Sequence, residues 1–229
     1  MRDFSEERKI KKYIGDKKRC IYCYGKVTST NTLLKNAADN GAKDGTVIIA
    51  DCQTEGKGRL GRNFYSPEAT GIYMSILIRN PLSNPAHITA AAGVAVCRVL
   101  SRNFGLITGI KWVNDIISNG KKICGILAES TCEDGNFHTV LGIGINLYYP
   151  KGGWPEEIAG IAGCVSDAYN PNVHERICAD LITEIDTIRA TPTKKWLNEY
   201  RQLSVTVGKD VTVNDGKTVR TAFALGIND

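Results

Sequence analysis

No stretch of this 229-residue sequence is long and apolar enough to span a membrane. The longest uncharged run, Asn80 to Cys97, is broken by Pro81, Pro85 and His87. The opening MRDFSEERKIKK is charged where an export signal needs an apolar segment, so a cytoplasmic protein with no membrane partner is expected. Paired metal-binding cysteines are also missing. Of eight cysteines only Cys20 and Cys23 stand in C-x-x-C spacing, with no second pair to complete a zinc site, so reduced, buried thiols and no protein-held metal are expected. His87, His138 and His174 occur singly, which argues against a histidine-activated nucleophile and a covalent enzyme intermediate. G-x-x-x-x-G-K-[ST] does not occur, and Gly56 to Gly61 has the G-x-G-x-x-G spacing but leads into a strand pattern instead of a helix, so P-loop and Rossmann fingerprints are disfavoured; there is no internal repeat or low-complexity segment.

What remains is the composition of an ordinary folded protein, 42% hydrophobic and 23% charged, which excludes disordered and fibrous classes. The net charge of +5 invites a nucleic-acid reading until it is located. Residues 1–19 hold eight Lys/Arg against four acids, leaving +1 for the rest of the chain. Such a basic arm reads as a solvated helix or tail.

Three units are expected: the arm at 1–19, a main domain at 20–203, and a partial β-module at 204–229. Cys20 to Val27 reads as a strand, and Thr28 to Asn31 supply capping residues for a short helix ending near Gly41. Thr46 to Ala50 and Gly71 to Arg79 read as strands around a Gly/Arg-rich loop, Asp51 to Pro67. Pro85 to Phe104 has helical apolar spacing and should lay one face on the sheet. Ile107 to Trp112, Ile116-Ile117, Ile123 to Glu129 and Val140 to Leu147 read as strands, with Asn119-Gly120 as a hairpin turn. Asn172 to Arg189 and Thr193 to Leu203 are further helices, and from Ser204 a period-2 pattern begins a small barrel, cut short in a turn at Asp229. The hairpins exclude an all-parallel sheet and predict an α+β fold: a mixed β-sheet with helices mainly on one face.

Three segments carry chemistry. In Gln53-Thr54-Glu55-Gly56-Lys57-Gly58-Arg59-Leu60-Gly61-Arg62, glycines let backbone amides approach a ligand while three cations supply charge, which suits an anion or a plain surface turn. Lys111-Trp112-Val113-Asn114-Asp115, followed by Lys122 and Gly125 to Glu129, places cations, an amide and a carboxylate at a strand end, or forms a polar turn with a solvated lysine. Leu141-Gly142-Ile143-Gly144-Ile145-Asn146 puts two glycines inside a strand, where either a ligand or another part of the chain comes close.

Together, and in this order with the Ser29-Thr30-Asn31 segment, these residues resemble the catalytic domain of biotin protein ligases from about Val27 onward. The resemblance implies a fold like that of class II aminoacyl-tRNA synthetases with an SH3-like C-terminal module. It further implies that biotin is activated with MgATP as biotinyl-5'-AMP and passed to a lysine of a biotin carboxyl carrier protein or domain. Ser29, Thr30, Asn31 and Gln53 would meet the biotin head, with Gly125, Gly142 and Gly144 along it and Gly56 and Arg59 closing over it. Lys122 would meet the biotin carboxylate and then the adenylate. Lys57, Gly58, Arg59, Arg62, Phe64, Asn114, Asp115 and Asn146 would hold ATP, and Arg59, Lys122, Asp115 and Lys111 would form the catalytic set.

The chain departs from the family pattern at Lys57, often an arginine, at Val113, a proline in the Lys-Trp-Pro-Asn-Asp motif, and at Phe64, often a tryptophan. Two enzyme rivals, a lipoate or octanoate ligase or transferase, share the superfamily, and a non-catalytic biotin-binding module is a third reading. A homodimer is compatible with the resemblance. A biotin-responsive DNA-binding repressor is disfavoured because the residues before Ser29 are too few for a helix-turn-helix domain with its linker, so no specific DNA partner is expected.

Overall fold

The computed structural model describes residues 1–79, 85–133, 136–170, 172–214 and 218–228. A seven-stranded sheet organises them in the order β1 (Ile21–Val27), β2 (Val47–Gln53), β3 (Gly71–Ile78), β7 (Asn136–Asn146), β6 (Lys121–Glu133), β5 (Asp115–Ser118) and β4 (Gly109–Lys111). Only β1 and β2 run parallel, joined across α2 (Thr30–Asp39), and the other neighbours are antiparallel. The mixed α+β sheet expected from the hairpins is what forms. Asn119 and Gly120, at φ 48 and 73°, make the tight turn between β5 and β6.

Alternation along the strands decides what each face holds. On one face Ile72, Met74 and Ile76 of β3, Leu141, Ile143 and Ile145 of β7, and Ile126 of β6 join one buried cluster with three long helices. These are α3 (Pro85–Phe104), α5 (His174–Arg189) and α6 (Thr193–Leu203). On the other face, among the described residues, α2 alone of the helices packs, setting Leu34 and Ala38 against Ile48, Leu77 and Val140. With 10 residues α2 is about 15 Å long, so it covers one end of that face and leaves the rest to loops.

The basic segment 1–19 is not a solvated arm. It forms α1 (Phe4–Ile14), capped by the Asp3 carboxylate, which accepts from the amides of Ser5 and Glu6, and closed by Gly15 at φ 77°. Ile10 is fully buried and joins the main core. Its neighbours are paired: Lys9 with Glu175 at 2.7 Å, His174 with Glu6 at 2.9 Å, and Arg19 with Asp186 at 2.6 Å. Counting charge along the sequence could not reveal these partners because they lie on α5, more than 150 residues away.

Strands β6 and β7 run longer than their apolar cores because Ser130 to Cys132 pair with Phe137 to Thr139 through the backbone ladder, which needs no apolar alternation. Capping of α2 also differs: the Ser29 side chain makes no cap bond, and the Thr30 amide donates to Gln53 Oε1 at 2.8 Å instead. A short helix absent from the sequence pattern, α4 (Glu156–Ala159), lies in the segment after β7. The C-terminal strands β8 (Asp210–Asn214) and β9 (Val219–Phe223) pair as an antiparallel ribbon. Val205 and Thr206, just before it, bond to Ile110 and Trp112 beside β4. The turn expected at Asp229 lies outside the described residues. Cys23, Cys97, Cys124 and Cys178 are buried and every cysteine is free, although Cys132 is exposed. Among the described residues no helix is long and apolar enough to cross a membrane.

Candidate active site

The part of the second face that α2 leaves uncovered is a cleft of about 890 Å³, roofed by residues 54–70. Its floor follows from the alternation that built the core. Where β7 turns Leu141, Ile143 and Ile145 inward, it turns Gly142 and Gly144 outward, and Gly144 sits opposite Gly125 of β6 and Tyr73 of β3. These glycines are required by close approach. A Cβ at Gly142 would collide with the carboxamide of Asn31, and one at Gly144 with the Phe64 ring.

At the α2 end of the floor lies a buried polar set. The hydroxyl and amide of Thr30 both donate to Gln53 Oε1, at 3.1 and 2.8 Å. Gln53 Nε2 donates to Ser66 Oγ at 3.0 Å, and Ser66 donates to the Phe64 carbonyl at 2.9 Å. Asn31 Nδ2 donates to Glu129 Oε2 at 2.8 Å, and the Ser75 hydroxyl lies 2.6 Å from Asn31 Oδ1 and 2.8 Å from Thr30 Oγ1. Ser29, Thr30 and Asn31 are each no more than 5% exposed, so a polar set that an unassisted core could not tolerate is kept by mutual bonding. Tyr73 closes the floor beside it, its hydroxyl donating to the Pro67 carbonyl at 3.0 Å. Burial pushes that phenol well above its ordinary range, partly offset by Thr70.

The other end is cationic. Lys122 Nζ lies 2.8 Å from Asp115 Oδ1 and 5.9 Å from the centre of the Phe64 ring. Arg59, in a 3-10 turn over Arg59–Gly61, donates to Asn114 Oδ1 at 3.1 Å, and Asn114 Nδ2 donates to the Ile126 carbonyl. The roof is a flap closed on itself, with Gly58 N–H donating to the Arg62 carbonyl at 2.7 Å and Phe64 N–H to the Gly56 carbonyl at 2.8 Å. Lys57, Arg59 and Arg62 are exposed on it, and its outer side borders a second hollow of about 700 Å³ together with Thr89 and Ile126 to Glu129.

The cleft is lined by Ser29, Thr30, Asn31, Gln53, Lys57, Gly58, Arg59, Arg62, Phe64, Lys111, Asn114, Asp115, Lys122, Gly125, Gly142, Gly144 and Asn146, and so draws together nearly all the residues singled out by pattern. Gly56 is the exception. It is buried inside the flap, where a Cβ would meet the Phe64 carbonyl, and so shapes the roof without lining the cleft. Lys111 sits at the exposed rim, and Asn146 already spends its Nδ2 on the Gly163 carbonyl. The peptide bond between Trp112 and Val113 is cis. Several participants escaped the sequence reading. Ser75 could have been found as the lone polar residue in GIYMSILI, but Ser66, which accepts from Gln53, and Trp154 and residues 209–213, which line the cleft, come from segments with no local signal. Trp154 packs edge-on against Tyr65 and Tyr149 at 6.2 and 5.8 Å.

Residues 24–146 match the biotin/lipoate A/B protein ligase family model. A biotin--[acetyl-CoA-carboxylase] ligase of Mycobacterium tuberculosis is 32% identical over 201 residues, 81% of this chain and 71% of that protein. The bifunctional ligase/repressor BirA of Bacillus subtilis is 39% identical over 145 residues, 62% of this chain, but the match spans only 45% of that relative's length. Among solved structures, biotin protein ligase from Aquifex aeolicus in complex with biotin and ATP superposes with a TM-score of 0.77 at 24% identity, over 91% of this chain and 88% of that one.

Proposed function

The chain belongs to the biotin/lipoate A/B protein ligase family, and from that premise we propose that it activates biotin with MgATP and passes it to a lysine of a biotin carboxyl carrier domain. The observation that carries this reading is the order of groups along the glycine floor: a hydrogen-bonding set at Thr30, Asn31, Gln53 and Ser75, an aromatic cover at Phe64, then the cations Lys122 and Arg59. A ligand with a polar ring at one end, an apolar chain and a carboxylate at the other fits that sequence. Biotin has those parts in that order.

In this reading the biotin carboxylate reaches Lys122 and shares it with Asp115. One carboxylate oxygen attacks the α-phosphorus of ATP, pyrophosphate leaves, and the mixed anhydride biotinyl-5'-AMP remains. Arg59, held at Asn114, faces the charge that builds on the phosphoryl oxygens, while Lys57 and Arg62 close with the flap over the phosphates. Mg²⁺ is taken to enter with the nucleotide, as part of the substrate, on the phosphate oxygens. In the second step the acceptor ε-amine attacks the acyl carbon, AMP leaves and the amine proton is lost. Asp115, beside Lys122, is the carboxylate assigned to orienting that amine.

The deciding experiment incubates the protein with MgATP and either biotin or lipoate, then adds an acceptor domain. Biotin-dependent pyrophosphate release, biotinyl-5'-AMP and then biotinyl-lysine are expected. Activation of lipoate in preference to biotin would move the chain to the other branch of its family, and binding without ATP consumption would make it a binding module.

A further inference from the structure

The buried polar set has a direction, and Glu129, which the sequence pattern gave no role in the cleft, imposes it. A carboxamide such as Asn31 has no intrinsic preference for which end faces which neighbour, so its orientation is set by its partners. Glu129 offers oxygens to it at 2.8 Å and therefore takes the Nδ2 end. Asn31 Oδ1 is thereby turned to the Ser75 hydroxyl, whose oxygen is 2.6 Å away. Ser75 has one proton for two acceptors, Asn31 Oδ1 and Thr30 Oγ1, and the Thr30 proton is committed to Gln53. The set thus holds a surplus of acceptor lone pairs at the head of the cleft, with Gly142 removing the side chain that would push Asn31 aside.

We infer that Glu129 is a positioning residue that locks the Asn31 carboxamide with its oxygen toward Ser75, so that the head of the cleft accepts N–H donors and rejects a ring presenting oxygens at the same places. A ligand N–H donated to Thr30 Oγ1 moves the Ser75 proton fully onto Asn31, at no cost in unpaired groups. A ring oxygen placed against Thr30 Oγ1 or Asn31 Oδ1 would meet a lone pair there. The inference takes the ligand, a cyclic urea, from the biotin reading, but the lock itself exists in the free protein.

Two measurements on the whole chain separate the lock from the ligand. In the free protein, NMR of the side-chain amides should show the Asn31 NH₂ shifted by its carboxylate partner and slow to exchange. In Glu129→Gln, which keeps the shape but can either donate or accept, that signature should be lost. An Asn31 signal identical in wild type and Glu129→Gln would overturn the lock whatever the ligand proves to be. Calorimetry then reads biotin affinity without ATP. Glu129→Gln should weaken it about tenfold, the worth of one oriented bond to a charged group. Asn31→Asp should weaken it more, because two carboxylates then face each other. The double variant Asn31→Asp with Glu129→Gln restores one donor between two acceptors and should bind within about threefold of wild type. A double variant no better than the singles combined would refute the positioning role. If wild type binds lipoate and not biotin, the functional proposal fails and the Asn31 amide signal alone decides the lock.

Discussion

The two faces of the central sheet are made from the same strands and follow opposite rules. Toward α3, α5 and α6 each strand presents Ile, Leu or Met, and the interior is held by apolar burial without side-chain hydrogen bonds in the strands. Toward the flap the alternate residues of β3, β6 and β7 include Ser75, Gly125, Gly142 and Gly144, and the close contacts at these glycines are made by Asn31, Phe64 and Lys122. One face therefore carries stability and the other specificity, and a substitution should damage one without the other.

Arg59→Ala offers the largest expected effect and the sharpest form of that division. Losing a charge-assisted contact to a developing phosphoryl charge should lower adenylate synthesis about a hundredfold, with the melting temperature unchanged because Arg59 is exposed. Wild-type turnover would withdraw the anion role of the flap.

The neighbouring positions Ile143 and Gly142 test the two faces within one strand. Ile143→Ala removes a fully packed core side chain and should cost about 2–5 kcal/mol in denaturant unfolding, yet leave biotin affinity of the folded protein intact. Gly142→Ala should do the reverse, displacing Asn31 and weakening biotin at least tenfold with a small change in stability. If both lose stability and affinity together, the faces are coupled and the division is wrong.

Lys122→Ala should lower biotin affinity about tenfold and adenylation with it, since one cation is assigned to both carboxylate and adenylate. An unchanged affinity removes it from the carboxylate. A smaller, severalfold effect is expected in limited proteolysis at Lys57, Arg59 and Arg62: fastest in the free protein, slower with biotin, slowest with a non-hydrolysable biotinyl-adenylate analogue. Equal rates in all three states would show that the flap does not close on the ligand.

Much of this division is legible in the sequence. The pattern LGIGIN contains both faces at once, large residues for the core and glycines for the cleft, because strand geometry sends alternate residues to opposite sides. The helix limits of α3 and α6 and the Asn119-Gly120 turn were equally plain, since local spacing and turn chemistry decide them. Glu129 was visible only as the end of an apolar run, and α1 only as a cluster of charge.

What the sequence by itself determined is the class of fold, the strands that form the floor, and the cations and amides that gather above it, because each follows from periodicity or residue type within a short window. Only the tertiary structure decided that Asn31 meets Glu129 across 98 residues, that Ser75 stands between Asn31 and Thr30, and that the basic N-terminal helix is docked through Glu175 and His174 of α5. Those facts depend on which strands and helices become neighbours. Side-chain hydrogen bonds and ion pairs form at distances of about 3 Å, and no spacing along a chain specifies which distant groups will be brought that close.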